Sequence, residues 1–364
     1  MDPLLAAPAA TPRPLPTQLP RRQPALNPLA APFPALVTVA DSCALVVEAC
    51  YTLKHGKPQD LISALAGTGR ANTFIATHVP GELLEHLPRV AAHYQVPPDA
   101  ALRLLAGGIL PATRAVDLEI RDHLAPRTRH LLRDDPELPR RHRGDPDDAP
   151  TMALAELLAP TVIVTQDSVF ARFGLAVNPA QWIETAQGLL RAVGLEASYA
   201  DALVVTELVL RLAWEGAAGL VTAAQRHPVL TLAGVAAAAW LAHRAGYLDR
   251  GRWRSGAAKA YEIAQPLLAR FGEAALDHVR VRDALIVVDP PTYPTPEQLA
   301  ARHLARCGRA LTPAQLRDAL AAGGHRIPAT RLKRAMTAHR GFTRLPGDHY
   351  TIGRPSQLPR TAPA

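Results

Sequence analysis

Apolar and polar positions follow two rhythms along this chain. ALVTVA (35–40), NTFIAT (72–77) and TVIVT (161–165) are short apolar runs rich in β-branched residues, which predicts buried strands. ILPATRAV (109–116) predicts a further strand, weakened by Pro111. Between these runs lie segments of helical character: CALVVEACYTLKHG (43–56), QDLISALAG (59–67), GELLEHLPRVAAHY (81–94) and TMALAELLA (151–159). The first two stop at a glycine, a usual end signal. Strands alternating with helices predict an α/β fold, with a parallel sheet covered on both faces.

Beyond about residue 177 the rhythm changes. Charge thins and alanine rises through 181–280, predicting an α-helical middle region at 177–289. Within it, VLTLAGVAAAAWLA (229–242) is uncharged but shorter than the ~20 apolar residues a membrane span needs. Residues 216–244 therefore read first as a buried helical hairpin. The competing reading is a membrane-associated hairpin with Arg244, Arg250, Arg252 and Arg254 on its cytoplasmic flank. The prolines of PPTYPTPE (290–297) read as a linker to a small α+β domain at 290–354. There LTPAQLRDALAAGGH (311–325) predicts a helix capped by Thr312 with Pro313 first. PATRLKRAMTAHR (328–340) predicts a second, capped by Thr330, and GFTRLPGDHYTIG (341–353) a hairpin turning at Pro346–Asp348. Residues 1–34, with a proline every few positions, and 355–364 read as disordered tails.

Composition adds a partner class. The net charge of +8 and pI near 9.8 favour anionic partners, nucleic acid first and a membrane surface second. The three cysteines, Cys43, Cys50 and Cys307, form no CxxC pair, which argues against a disulfide scaffold or structural zinc and fits a reducing compartment. The first residues lack the basic start and apolar core of a secretory signal, so the expected location is the cytoplasm, with membrane association as the alternative.

The candidate chemistry is acidic. Asp41 directly follows one predicted strand, Asp167 closely follows another, and Glu82 follows a third after a short turn. Asp145, Asp147 and Asp148 crowd together just before the helix at 151–159. Ligands of open parallel sheets bind beyond the carboxyl ends of the strands, so the predicted order brings these carboxylates to one edge. Like charges gathered this way need counter-charge, usually a hard divalent cation with oxygen ligands. Each acid also has an ordinary role. Asp41, Asp147 and Asp148 can cap helices, and Glu82 suits the first turn of one. A calcium loop beginning at Asp145 fails, because Ala149 and Pro150 stand where an oxygen ligand and a glycine are required.

Four stretches, VTVADSCALV (37–46), THVPGELLEHL (77–87), GDPDDAPTMALA (144–155) and TVIVTQDSVF (161–170), resemble in order the four acidic motifs of the PIN domain, a family of metal-dependent nucleases. The resemblance covers about residues 35–176. It implies a PIN-like parallel sheet flanked by helices and a Mg²⁺ or Mn²⁺ site. It implies catalytic roles for Asp41, Glu82, Asp148 and Asp167, with Asp41, Asp145, Asp148 and Asp167 as metal ligands and Ser42 and Thr165 in support. The family is largely one of ribonucleases and includes the toxins of bacterial toxin–antitoxin pairs. An endoribonuclease acting on single-stranded RNA, or on DNA, is therefore expected, with an antitoxin-like protein partner or dimerisation.

The C-terminal pattern of helix, turn, helix and hairpin resembles a winged helix, which implies nucleic-acid contacts from Arg331, Lys333 and Arg334. A second basic candidate is RTRHLLRDDPELPRRHRG (127–144), where Arg140, Arg141 and Arg143 lead into the third acidic stretch. The alternative to an enzyme is a non-catalytic nucleic-acid-binding or regulatory scaffold built from the same two modules.

Overall fold

The computed structural model describes residues 35–119, 125–133, 137, 144–165, 167, 169–170, 176–177, 182–195, 198–199, 202, 265–274, 276–277, 279–281 and 288–359. The first half alternates strand and helix: β1 (Leu36–Ala40), α1 (Ser42–Lys54), α2 (Leu61–Gly67), β2 (Ala71–Ala76), α3 (Val79–Tyr94), α4 (Pro98–Leu104), β3 (Thr113–Val116), α5 (Pro126–Leu131), α6 (Ala149–Leu158), β4 (Val162–Val164) and β5 (Ala176–Val177). The sheet order is β5-β4-β1-β2-β3, all parallel, with β8 (Arg354–Pro355) added antiparallel beside β3. The expected α/β class and parallel sheet are present.

Side-chain alternation sorts the strands between two apolar layers. Val37 and Val39 of β1 and Ile163 of β4 enter the larger core, with Leu45, Val46 and Ala49 of α1 and Leu83 and Leu87 of α3. Leu36 of β1 and Val162 and Val164 of β4 enter a smaller one with Leu65 of α2 and Trp182, Ala186 and Leu189. This period of two is what a sheet covered on both faces requires. Between β1 and β2, Thr38 donates its hydroxyl to Thr73 at 2.9 Å, so the polar atoms inside the sheet satisfy each other.

The strand expected over 109–116 is shorter than read: it begins at Thr113, and residues 109–112 belong to the segment joining α4 to β3. That segment is a π-helical turn, Leu105–Ile109, followed by a 3-10 turn, Leu110–Ala112. Leu105, Ile109 and Leu110 are fully buried there, and Pro111 precedes the strand rather than interrupting it. Gly108 lies where an added Cβ would press on Leu104 at 3.3 Å.

The C-terminal residues form α7 (Pro296–Cys307), α8 (Pro313–Ala322), α9 (Ala329–Ala338) and the hairpin of β6 (Phe342–Leu345) and β7 (His349–Ile352), with Pro346–Asp348 at its turn. Thr312 and Gln315 cap α8 reciprocally. Three expectations are corrected. Residues 290–297 are not all linker, because Thr295 and Gln298 form the same reciprocal cap and start α7. Thr330 does not cap α9; Pro328 holds that place, with no side-chain bond. Residues 355 and 356 are not tail, because Pro355 lies in β8 and the Ser356 amide donates to the Thr113 carbonyl at 3.2 Å.

This C-terminal part shares its core with the sheet, rather than standing apart. Ala300, Leu304, Leu316, Leu332, Met336 and Tyr350 belong to the same buried cluster as Val37 and Leu154. The contact is pinned by arginines. Arg302 donates through Nε to Leu157 O and through Nη2 to Glu156 O, both at 3.3 Å. Arg306 Nη2 donates to Leu158 O at 3.1 Å and Pro160 O at 2.7 Å. These acceptors lie at the C-terminus of α6, where helix carbonyls lack intrahelical partners. Arg114 on β3 reaches the other way, donating to Ile352 O at 2.8 Å, Gly353 O at 2.8 Å and Thr351 Oγ1 at 3.0 Å.

The predicted tail 1–34 and the hairpin at 216–244 lie outside the described residues. Among the described residues, no helix is long and apolar enough to cross a membrane.

Candidate active site

The register of the parallel strands sets the site. Ala40, the last residue of β1, pairs with Val164, the last of β4. The next residues along, Asp41 and Thr165, therefore emerge side by side. The Asp41 amide donates to Val164 O at 3.1 Å, which fixes the exit of the chain. Asp41 then caps α1: its Oδ1 accepts from the Ser42 amide at 2.7 Å. Its Oδ2 accepts from Thr165 Oγ1 at 3.0 Å and from Cys43 Sγ at 3.1 Å. The carboxylate is only 6% exposed. It is held by donors on both oxygens.

Thr165 does two jobs. While its hydroxyl donates to Asp41, its oxygen accepts the Asp167 amide at 2.9 Å. Asp167 Oδ1 accepts in turn from the Val169 amide at 2.7 Å. One threonine thus ties the acid after β1 to the loop carrying the acid after β4.

Glu82 comes from the neighbouring strand. β2 leads through His78 into α3, whose first turn holds Glu82. His78 Nε2 lies 3.6 Å from a Glu82 oxygen. Burial raises the Glu82 carboxyl; His78, a hydrogen bond from Ser42 and His86 draw it down, and the nearby Asp41 charge pushes it up.

The third acidic stretch closes the cleft from α6. Asp145 accepts from the Asp147 amide at 3.1 Å and so starts a 3-10 turn, Pro146–Asp148. Asp147 is exposed, and Asp145 and Asp148 are half-buried. Asp148 occupies the N-cap position of α6 but makes no capping bond with its side chain. Its Oδ2 is buried with no hydrogen-bond partner. Burial, and then the charges of Asp167, Asp41, Asp145 and Glu82, push this carboxyl up to about 8. An acid that other acids hold in its neutral form, with one oxygen unserved, is an electrostatic deficit.

The acids predicted from sequence, Asp41, Glu82, Asp145, Asp148 and Asp167, therefore line one cleft of about 460 Å³, with Ser42 in its wall and Thr165 buried behind it. Among the described residues, no three His, Cys, Asp or Glu side chains already stand close enough to close around a metal ion. The donor set still fits a hard divalent cation. The ligands are oxygens, the orphaned Asp148 Oδ2 needs a positive partner, and their repulsion is what such an ion would relieve.

The same cleft contains residues that sequence reasoning passed over. Cys43 was only a cysteine to count, yet its thiol serves Asp41. Glu85, one turn after Glu82, is exposed, but at the cleft wall beside His86 and Arg89. Spacing by three, four and seven from Glu82 would have found them, because those positions share one helix face. The predicted nucleic-acid contacts divide. Arg140, Arg141 and Arg143 lie outside the described residues. Arg331, Lys333 and Arg334 are exposed on α9, but Lys333 Nζ is engaged by Asp348 Oδ2 at 2.7 Å. Comparison with protein-family models, with curated proteins and with solved structures returned no match to this chain.

Proposed function

We propose that this chain is a divalent-cation-dependent phosphodiester hydrolase of PIN type, acting endonucleolytically on single-stranded RNA. The observation that carries the reading is the convergence of Asp41, Glu82, Asp148 and Asp167 on one cleft, with Asp148 Oδ2 left without a donor. Ordinary helix capping accounts for Asp41 but not for Asp148, whose side chain caps nothing. The net charge of +8 suits a polyanionic substrate despite the acidic cleft.

In this reading Asp41, Asp148 and Asp167 hold Mg²⁺ or Mn²⁺, with Asp145 beside them. When bound, the ion lowers the pKa of a water and neutralises charge on the scissile phosphate. The protein's own part is positional. Thr165 and Ser42 hold the Asp41 carboxylate in its orientation, and Thr165 fixes the loop that carries Asp167. Glu82, raised by burial, is suited to take a proton from the attacking water. The C-terminal arrangement supports a winged-helix-like module: three helices precede the hairpin, and Leu311 makes an isolated antiparallel bridge to Tyr350. Arg331 and Arg334 on α9 are its candidate contacts to nucleic acid.

The scaffold alternative keeps one point in its favour, the absence of a ready-closed ligand group among the described residues. One experiment separates the two. Single-stranded RNA and DNA are incubated with wild type, Asp41→Asn and Asp167→Asn in Mn²⁺. Metal-dependent cleavage of RNA that both variants lose is expected. Binding without cleavage by wild type would replace the enzyme with the scaffold.

A further inference from the structure

Charge is not evenly distributed along the cleft wall formed by α3. Glu82, Glu85, His86 and Arg89 all line the cleft, at spacings that place them on one helical face. The face begins acidic at the strand ends and becomes basic outward. Arg89 lies two turns beyond Glu82, about 10 Å along the axis at the usual rise per residue. Apart from His86 and Arg89, every charged side chain lining the cleft is a carboxylate.

The state of Arg89 is the informative point. Glu85 precedes it by four residues, the order that favours a helical ion pair. Yet among the described residues Arg89 makes no hydrogen bond and no ion pair. It is exposed, so its stem is free to move and its guanidinium stays hydrated. A guanidinium matches phosphate with a planar fork of donors. It lies on the cleft wall two helical turns out from Glu82, beyond the carboxylates. It is well placed for the next phosphate along.

We infer that Arg89, flanked by His86, forms a subsite for the phosphate adjacent to the scissile one, so that the substrate is an oligonucleotide rather than an isolated phosphodiester. The inference rests on the hydrolase reading above and deepens it. It assigns a length requirement and a polarity to the cleft, with the reacting phosphate over the strand ends and its neighbour over the third turn of α3.

The test is binding, not turnover. Labelled oligouridylates of two, three, four and six nucleotides are titrated against wild type, Arg89→Gln and Arg89→Lys by fluorescence anisotropy in Ca²⁺, and each oligonucleotide is checked for integrity afterwards. The unphosphorylated dinucleotide has one phosphate; longer ones supply the neighbour. Wild type gains affinity from two to four nucleotides. Arg89→Gln loses about tenfold of that gain, and its salt slope falls by about 0.7, the share of one single-strand phosphate contact. Arg89→Lys retains most of the slope but less of the affinity. Equal length-dependence in wild type and Arg89→Gln would overturn the subsite, as would an equal loss on the dinucleotide, which would put Arg89 at the scissile phosphate. A wild type that never cleaves RNA in Mn²⁺, but whose length-dependence still needs Arg89, would remove the hydrolase and keep the subsite.

Discussion

Two sets of charged side chains are drawn out of water in this molecule, and they are treated in opposite ways. At the contact between the C-terminal helices and the sheet, Arg114, Arg302 and Arg306 place their donors on main-chain carbonyls and a threonine hydroxyl. Burial lowers the Arg302 guanidinium to about 10, still above neutral pH, so it remains charged and bonded. At the cleft, carboxylates raise one another and Asp148 Oδ2 finds no donor. Buried charge that is fully bonded holds a fold together; buried charge left in deficit is a demand for something not in the chain.

Removing a cleft carboxylate should cost function and spare the fold. Asp167→Asn is expected to lower metal-dependent RNA cleavage by about 1000-fold, on the scale of losing an electrostatic element of the transition state. Urea unfolding of this variant should match wild type or exceed it. A clear loss of stability would mean that Asp167 is structural and would collapse the contrast.

The arginine side predicts the reverse. Arg306→Ala removes donors to Leu158 O, Pro160 O and Arg302 O. Unfolding free energy should fall by about 3 kcal/mol, given the net worth of hydrogen bonds from a charged group and the carbonyls left bare. If equilibrium denaturation shows no change, water replaces this arginine easily and the contact is not the staple described.

Thr165 lies between the two classes, a bonded residue that serves the deficient site. Thr165→Val keeps shape but deletes the donor to Asp41 and the acceptor for the Asp167 amide. Cleavage should drop by about 10–100-fold, the range for a group that orients ligands without touching substrate. Metal affinity, measured by calorimetry, should weaken in parallel; a loss of rate at unchanged affinity would place Thr165 nearer the chemistry.

A fourth effect concerns pH. Asp148 is pushed from 3.8 up to about 8 in the folded, metal-free chain. Between those values the folded state keeps a proton that the unfolded state releases. Stability therefore falls as pH rises from about 4 to 8, and is level above that. Asp148→Asn removes the titration. In EDTA its Tm should exceed that of wild type at pH 8, and the excess should shrink as the pH falls toward 5. A difference that does not change with pH would mean the carboxyl is not held neutral.

The acids were legible because parallel strands bring their carboxyl ends to one edge, so position relative to a strand already implied convergence. The exits from β1, β2 and β4 needed only the apolar runs and the residue after each. The cap at Thr312 was legible from its local pattern, and the matching Thr295…Gln298 cap was obscured only by the prolines ahead of it. What stayed hidden was long-range. Nothing near Arg302 or Arg306 says that their acceptors lie at the end of α6, about 145 residues earlier. The turns at 105–112 were hidden for another reason. The apolar run at 109–112 reads as the start of a strand, and only packing makes it a turn with Leu105, Ile109 and Leu110 in the core.

The strand that completes the sheet sets a schedule for the chain's synthesis. Arg114 finds its carbonyl partner at Gly353 only 239 residues later. At ~5–20 residues per second, roughly ten to fifty seconds of translation separate β3 from its neighbour. During that interval the open margin of β3, with its row of free amides and carbonyls, is exposed to other nascent chains. A chaperone that shields strand edges would therefore matter most while residues 117–353 are being made, and a stop anywhere in that stretch would leave a sheet ready to pair with its own copies.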